Sequence, residues 1–185
     1  MRLFEVSPDT LEGSFTHDLL LSKTWLVTEI AKIQKKFDTI YVLGSWYGNT
    51  SLMLFAKHFN FDKIINVEID RQSLRQGQSI AKKIGIEDQV EPMLKDANEL
   101  DYRQLGSNGL VINTSCLDMK NEGWFDNIPD GTLVALQARD NAGKEYKSIN
   151  KFSKDYPLSQ VLFKGSVELK DPETEYQRFM LIGKK

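Results

Sequence analysis

The sequence predicts an α/β fold, a mostly parallel sheet covered by helices on both faces and closed by a hairpin. Three observations predict it. Short apolar runs rich in β-branched residues alternate with segments of helical spacing. One run, Ile40-Tyr41-Val42-Leu43, enters the turn Gly44-Ser45-Trp46-Tyr47-Gly48-Asn49, and the next apolar run ends on Val67-Glu68-Ile69-Asp70. The last two runs, 160–169 and 176–182, lie so close in sequence that they pair antiparallel.

The elements follow in order. Residues 1–13 carry Pro8, Asp9 and Gly13 and read as an irregular lead-in. Over 16–36 the apolar residues Leu19, Leu26, Ile30 and Ile33 recur at helical spacing, with Ser14 or Thr16 as N-cap. The first strand covers 39–43, a short helix 50–58 and the second strand 63–67. Asp70 caps a helix over 71–84, which Gly85 stops. A third strand covers 89–94. The fourth, 110–113, is apolar without alternation, as a strand buried on both faces should be. A helical piece at 124–128 leads through Pro129-Asp130-Gly131 to the fifth strand, 132–136. A helix over 144–154 precedes the hairpin, whose turn is Asp171-Pro172-Glu173.

Composition narrows the function. At 185 residues, 41% hydrophobic and 27% charged, the chain reads as one globular domain over 1–185. No apolar run approaches the roughly 20 residues that cross a bilayer, and Met1–Glu5 has no signal-peptide core. Cys116 is the single cysteine, so no internal disulfide forms and the sequence suggests no metal site. These features predict a cytoplasmic protein. A net charge of -2 gives no case for gripping nucleic acid unaided. A small-molecule or nucleotide-like substrate, with or without a protein partner, fits better.

The β-α-β unit is the chemical signal. Glycines let the backbone turn tightly and approach a ligand, and an acid at the end of the second strand can accept hydrogen bonds from both ribose hydroxyls. The unit therefore suits a nucleoside-containing cofactor, with Gly44, Ser45, Gly48 and Asn49 along it and Glu68 on its ribose. Trp46 and Tyr47 either wall the site or pack on the first helix. Asp70 reads as a helix cap, and Cys116 as a small buried residue.

At this point the chain resembles the class I S-adenosylmethionine-dependent methyltransferases over nearly its whole length. The Gly44–Gly48 loop matches their first motif, although it has fewer glycines and lacks the acid before it. Glu68 matches their ribose-binding acid and Asp96 the residue near the adenine amino group. Pro129-Asp130-Gly131-Thr132 matches their turn before the fifth strand. The Trp-Tyr loop and Asn113-Thr114-Ser115-Cys116 look like a little-described branch found in tailed phages. The resemblance implies a three-layer αβα Rossmann-like sandwich, its seven-stranded, mostly parallel sheet having the last strand inserted antiparallel. It implies S-adenosyl-L-methionine as cofactor, with Ile69, Ala97 and Asn113 joining the cofactor set, and the lead-in and helix over 1–36 covering the site.

Methyl transfer needs an aligned acceptor, excluded water and sometimes a proton acceptor. Asn113, Asp118 and His17 are the catalytic candidates on that ground. Ser115, Gln137 and Arg139 are the substrate-binding candidates, because they follow the fourth and fifth strands. The expected reaction is methyl transfer to a nitrogen or oxygen acceptor. The alternatives are a non-catalytic S-adenosylmethionine- or nucleoside-binding module, and an aminopropyltransferase-like enzyme.

Overall fold

The computed structural model describes residues 13–119, 121–140, 146–171 and 174–185. The lead-in over 1–12, the start of the expected 144–154 helix and the tip of the 171–173 turn lie outside the described residues. The sheet has seven strands: β1 (Lys36–Leu43), β2 (Asn60–Glu68), β3 (Val90–Leu94), β4 (Leu110–Asn113), β5 (Leu133–Arg139), β6 (Gln160–Lys170) and β7 (Glu175–Lys184). Their spatial order is β3-β2-β1-β4-β5-β7-β6. β1 to β5 are parallel, and β7 lies antiparallel between β5 and β6. The expected sandwich with an inserted antiparallel strand is therefore the observed fold.

Period-two alternation builds the two faces. Ile40, Val42, Ile64, Leu110, Ile112, Leu133 and Ala135 pack on one side. They meet Leu26, Val27 and Ile30 of helix α1 (His17–Ile33), Leu54 of α2 (Asn49–Ala56) and Ala81 of α3 (Arg71–Lys83). Tyr41, Leu43, Ile65, Val67, Val111, Val134 and Leu136 pack on the other side. There they meet Trp124 and Phe125 of α4 (Gly123–Asp126) and Phe152 of α5 (Ile149–Asp155), with Tyr156 beside them. All four residues of β4 are buried, as its unbroken apolar run requires.

Several features differ from the sequence reading, three of them with a plain structural cause. β1 and β2 each begin three residues earlier, because Lys36 pairs with Asn60 and the two strands grow together. β5 runs on to Arg139, since β7 pairs with Gln137, Ala138 and Arg139. The β3–β4 connection holds 3-10 turns, Ala97–Glu99 and Tyr102–Leu105, where strict alternation expects a helix. Asp96 and Asp101 cap those turns, accepting from the backbone N–H of Asn98 and Arg103, so each turn is closed locally. No helix among the described residues is long and apolar enough to cross a membrane.

Candidate functional site

A cavity of about 780 Å³ runs along the carboxyl ends of the strands, where open α/β sheets bind ligands. Small-molecule sites occupy roughly 300–1,000 Å³. Its floor is the loop after β1. Gly44 and Gly48 have φ of 57° and 78°, and Trp46, despite its side chain, has φ of 50°. The Trp46 N–H donates to Glu68 Oε2 at 2.8 Å, which helps hold this unusual backbone. Glu68 Oε1 accepts from the N–H groups of Ile69 (2.8 Å) and Asp70 (3.0 Å). The carboxylate at the tip of β2 is thus oriented by three backbone donors, with one of its roughly four lone-pair sites to spare.

Other elements close around this loop. A Cβ on Gly48 would stand 2.9 Å from Asn66 Nδ2, and one on Gly77 of α3 would stand 3.1 Å from the Tyr47 carbonyl. These glycines let β2 and α3 press on the loop. The Trp46 and Tyr47 rings lie 4.9 Å apart, and both residues line the cavity. Asn49 opens α2, and its Nδ2 donates to Ser14 O (2.7 Å) and Ser14 Oγ (3.0 Å). Asn49 Oδ1 and Ser45 Oγ are buried at the cavity wall without a partner among the described residues.

No protein-family model matches this sequence, and no curated protein does. Solved structures do match it. The MccD protein superposes with a TM-score of 0.69 at 9% identity, over 89% of this chain and 96% of its own. An rRNA methylase from Streptococcus thermophilus gives 0.61 at 16%, over 92% and 99%. A geranyl diphosphate methyltransferase in complex with SAM gives 0.60 at 12%, over 87% and 84%. This chain has the class I methyltransferase fold.

Within that fold, most of the expected cofactor residues meet at one place. Gly44, Ser45, Trp46, Tyr47, Asn49, Glu68, Ile69, Asp96 and Ala97 all line the cavity. Gly48 is the left-handed residue that starts α2. Asp96 caps its turn through Asn98 N (2.9 Å) and Asn98 Nδ2 (2.8 Å). Asp70 caps α3 as predicted, accepting from Gln72 N and Ser73 N, and is no part of the wall.

The acceptor-side candidates divide. Ser115, Asp118 and Arg139 line the cavity. Asn113, Gln137 and His17 do not. Asn113 is wholly buried, with its Oδ1 turned back to the Ser115 N–H at 2.8 Å, so it shapes the loop after β4. Gln137 is wholly buried under α1 and exchanges hydrogen bonds with Ser22 (3.1 and 3.2 Å). It lies inside β5 rather than after it. His17 is exposed in the first turn of α1. Cys116 is buried and burial pushes its thiol far up, so it is no nucleophile at neutral pH.

The cavity also recruits residues that sequence reasoning missed. Lys23 and Leu19 reach it from α1, Thr114 from the end of β4, and Arg178 from β7. Burial and the neighbouring Arg178 lower the Lys23 pKa to about 8, against a smaller upward pull from Asp18. The signal for Lys23 was its place in an apolar helix stripe, four residues after Leu19 and three before Leu26. For Arg178 it was an arginine directly before the apolar run Phe179-Met180-Leu181-Ile182 of the same strand.

Proposed function

We propose that this protein is an S-adenosylmethionine-dependent methyltransferase acting on a nitrogen or oxygen of a small or nucleotide-like acceptor. One observation carries the reading: the backbone-oriented Glu68 carboxylate shares a single cavity with the left-handed glycine loop and the carboxyl ends of β4 and β5. The residues present fit the cofactor. Glu68 offers its remaining lone pair to a ribose hydroxyl, and Asp96 stands on the adenine side. The unpartnered oxygens of Ser45 and Asn49 suit the amino-acid end. When bound, the cofactor supplies a methyl group already activated by its sulfonium.

The chain's task is then alignment and exclusion of water. Trp46 and Tyr47 wall the cavity, Ser115 positions the acceptor, and Asp118 takes its proton. That Asn113 and His17 lie off the wall favours, as the second reading, a binding module without turnover.

Thermal unfolding with S-adenosylmethionine, decarboxylated S-adenosylmethionine, S-adenosylhomocysteine and NAD tests both readings. A ligand at about 100 times its Kd stabilises by roughly 2.7 kcal/mol, which is roughly 5–10 °C at this size. The expected result is a shift with S-adenosylmethionine and S-adenosylhomocysteine, and none with NAD. A shift with the decarboxylated form alone overturns methyl transfer in favour of aminopropyl transfer. Binding without methyl release to any amine, hydroxyl or nucleotide panel supports the module.

A further inference from the structure

We propose that the acceptor end of the cavity is a seat for a small anion, a phosphate or carboxylate borne by the acceptor, gripped by Arg178 and Arg139 with Lys23 at its flank. The inference rests on the methyltransferase reading, because it names the acceptor's chemistry at that same site.

The geometry starts with strand register. Arg139 of β5 and Arg178 of β7 are paired directly across the antiparallel ladder. Like charges in that position are destabilising unless something offsets them. Arg178 is only 7% exposed. It has one acceptor, the Thr114 carbonyl reached by Nη2, and its Nε is buried without a partner among the described residues. Arg139 lies with its guanidinium 4.2 Å from the Tyr176 ring centroid, and its Nη2 reaches Asp171 at 3.4 Å. Its Nε is likewise buried and unpartnered among the described residues. Both arginines and Lys23 line the cavity.

Nearby carboxylates leave this charge incompletely matched. Asp18 accepts the Tyr176 hydroxyl at 2.6 Å, and Asp171, which meets Arg139 at 3.4 Å, also accepts from the Thr174 N–H at 2.7 Å. Asp118 is exposed on the facing loop, free to serve as the acceptor's base. A buried cation with unfilled donors is costly, and a planar guanidinium is shaped to give two parallel hydrogen bonds to a carboxylate or phosphate.

The cofactor's own carboxylate is the competing occupant, and strand order sets the backbone it would lie on apart from the two arginines. An amino-acid tail lying on the β1 loop is two strand spacings from Arg139, and Glu68 of β2 is three. At about 4.8 Å per spacing these are roughly 10 and 14 Å.

The test is calorimetric titration of wild-type protein with inorganic phosphate and, separately, succinate. Sodium chloride at matched ionic strength is the control, and each titration is run with and without saturating S-adenosylhomocysteine. Binding of either anion above chloride is expected. It should weaken at least tenfold in Arg139→Gln, and several-fold in Arg178→Lys, which keeps the charge and loses the fork. Affinity for S-adenosylhomocysteine should stay within about twofold in both variants. Phosphate binding alone identifies a phosphate-bearing acceptor, and succinate binding alone a carboxylate. Absence of binding by both anions overturns the proposal. So does a loss of S-adenosylhomocysteine affinity as large as the loss for the anion, which would assign the arginines to the cofactor. Anion binding without S-adenosylhomocysteine binding upholds the seat and counts against the methyltransferase reading instead.

Discussion

Replacing Glu68 by glutamine should damage the cofactor end of the cavity in two separable ways. Glu68 Oε2 accepts from Trp46 N–H, and Oε1 from the N–H groups of Ile69 and Asp70. An amide has one oxygen, so its NH2 must face at least one of these backbone donors. The N–H groups of Ile69 and Asp70 are exposed and can turn to water, while that of Trp46 is part-buried. The loss therefore falls at the low end of the roughly 1–3 kcal/mol range for a buried unsatisfied donor, about 1 kcal/mol, or roughly 2–4 °C in Tm for a chain of this length. The same change removes one charged acceptor from the ribose. A hydrogen bond to a charged group is worth about 1.5–3 kcal/mol, so the Kd for S-adenosylhomocysteine should rise roughly 10- to 150-fold. Calorimetric titration at 15 °C, well below either midpoint, reads the second effect without the first. Asp70→Ala is the control. It loses the α3 cap but keeps the Asp70 N–H that Glu68 uses, so its Tm should fall while its affinity stays within about twofold. Unchanged affinity in Glu68→Gln would refute the assignment of this carboxylate to ribose.

Two further predictions address the cavity walls. Lys23 titrates at about 8 in the folded protein and at 10.5 when free, so between those pH values the unfolded chain holds a proton that the folded chain has shed. Stability should therefore rise as pH climbs from about 8 to 10.5 and lose this gain as pH falls. Lys23→Met removes the dependence and, in urea titrations, should gain on the order of 1–3 kcal/mol over wild type at pH 7 relative to pH 10.5; a gap that does not change with pH would sink the argument. Gly77→Ala should be stabilising by helix propensity, by up to about 1 kcal/mol. Its Cβ would meet the Tyr47 backbone at 3.1 Å, so a net loss of stability with weaker S-adenosylhomocysteine binding is expected, and a plain gain in Tm would show that the loop yields freely.

The half of the cavity proposed for the cofactor was legible because its determinants are local. A tight turn needs Gly44 and Gly48, the acid ends a strand in plain view, and the Asp70 cap follows directly. The acceptor half is assembled by pairing between distant segments. The reading stopped β5 at Leu136 because polar residues follow. Pairing of Gln137 with Met180 and Arg139 with Arg178 carries the strand on, which puts Gln137 beneath α1 and Arg139 at the mouth. Arg178 is invisible as a site residue until β7 is inserted beside β5. Asn113 was chosen for its place at a strand end, yet period-two alternation puts it on the same face as Val111, where it braces its own loop.

The polar residues that turn away from the cavity account for how α1 comes to wall it. The apolar packing of α1, through Leu26, Val27 and Ile30, lies in its C-terminal half. Apolar contact is non-directional and does not fix how far a helix slides along the sheet. The N-terminal half is tied by directional bonds instead: Asp18 to the Tyr176 hydroxyl, Ser22 reciprocally to Gln137, and the preceding Ser14 to Asn49. Asp18 and Ser22 are four residues apart and share one helix face. Each tie reaches a different element, β7, β5 or α2, and all are buried, where hydrogen bonds are strong and a broken one is costly. Together they set the helix at one height and one rotation. That setting carries Leu19 and Lys23 over the cavity, so Gln137 and Asp18 shape the acceptor end by placing the helix that walls it.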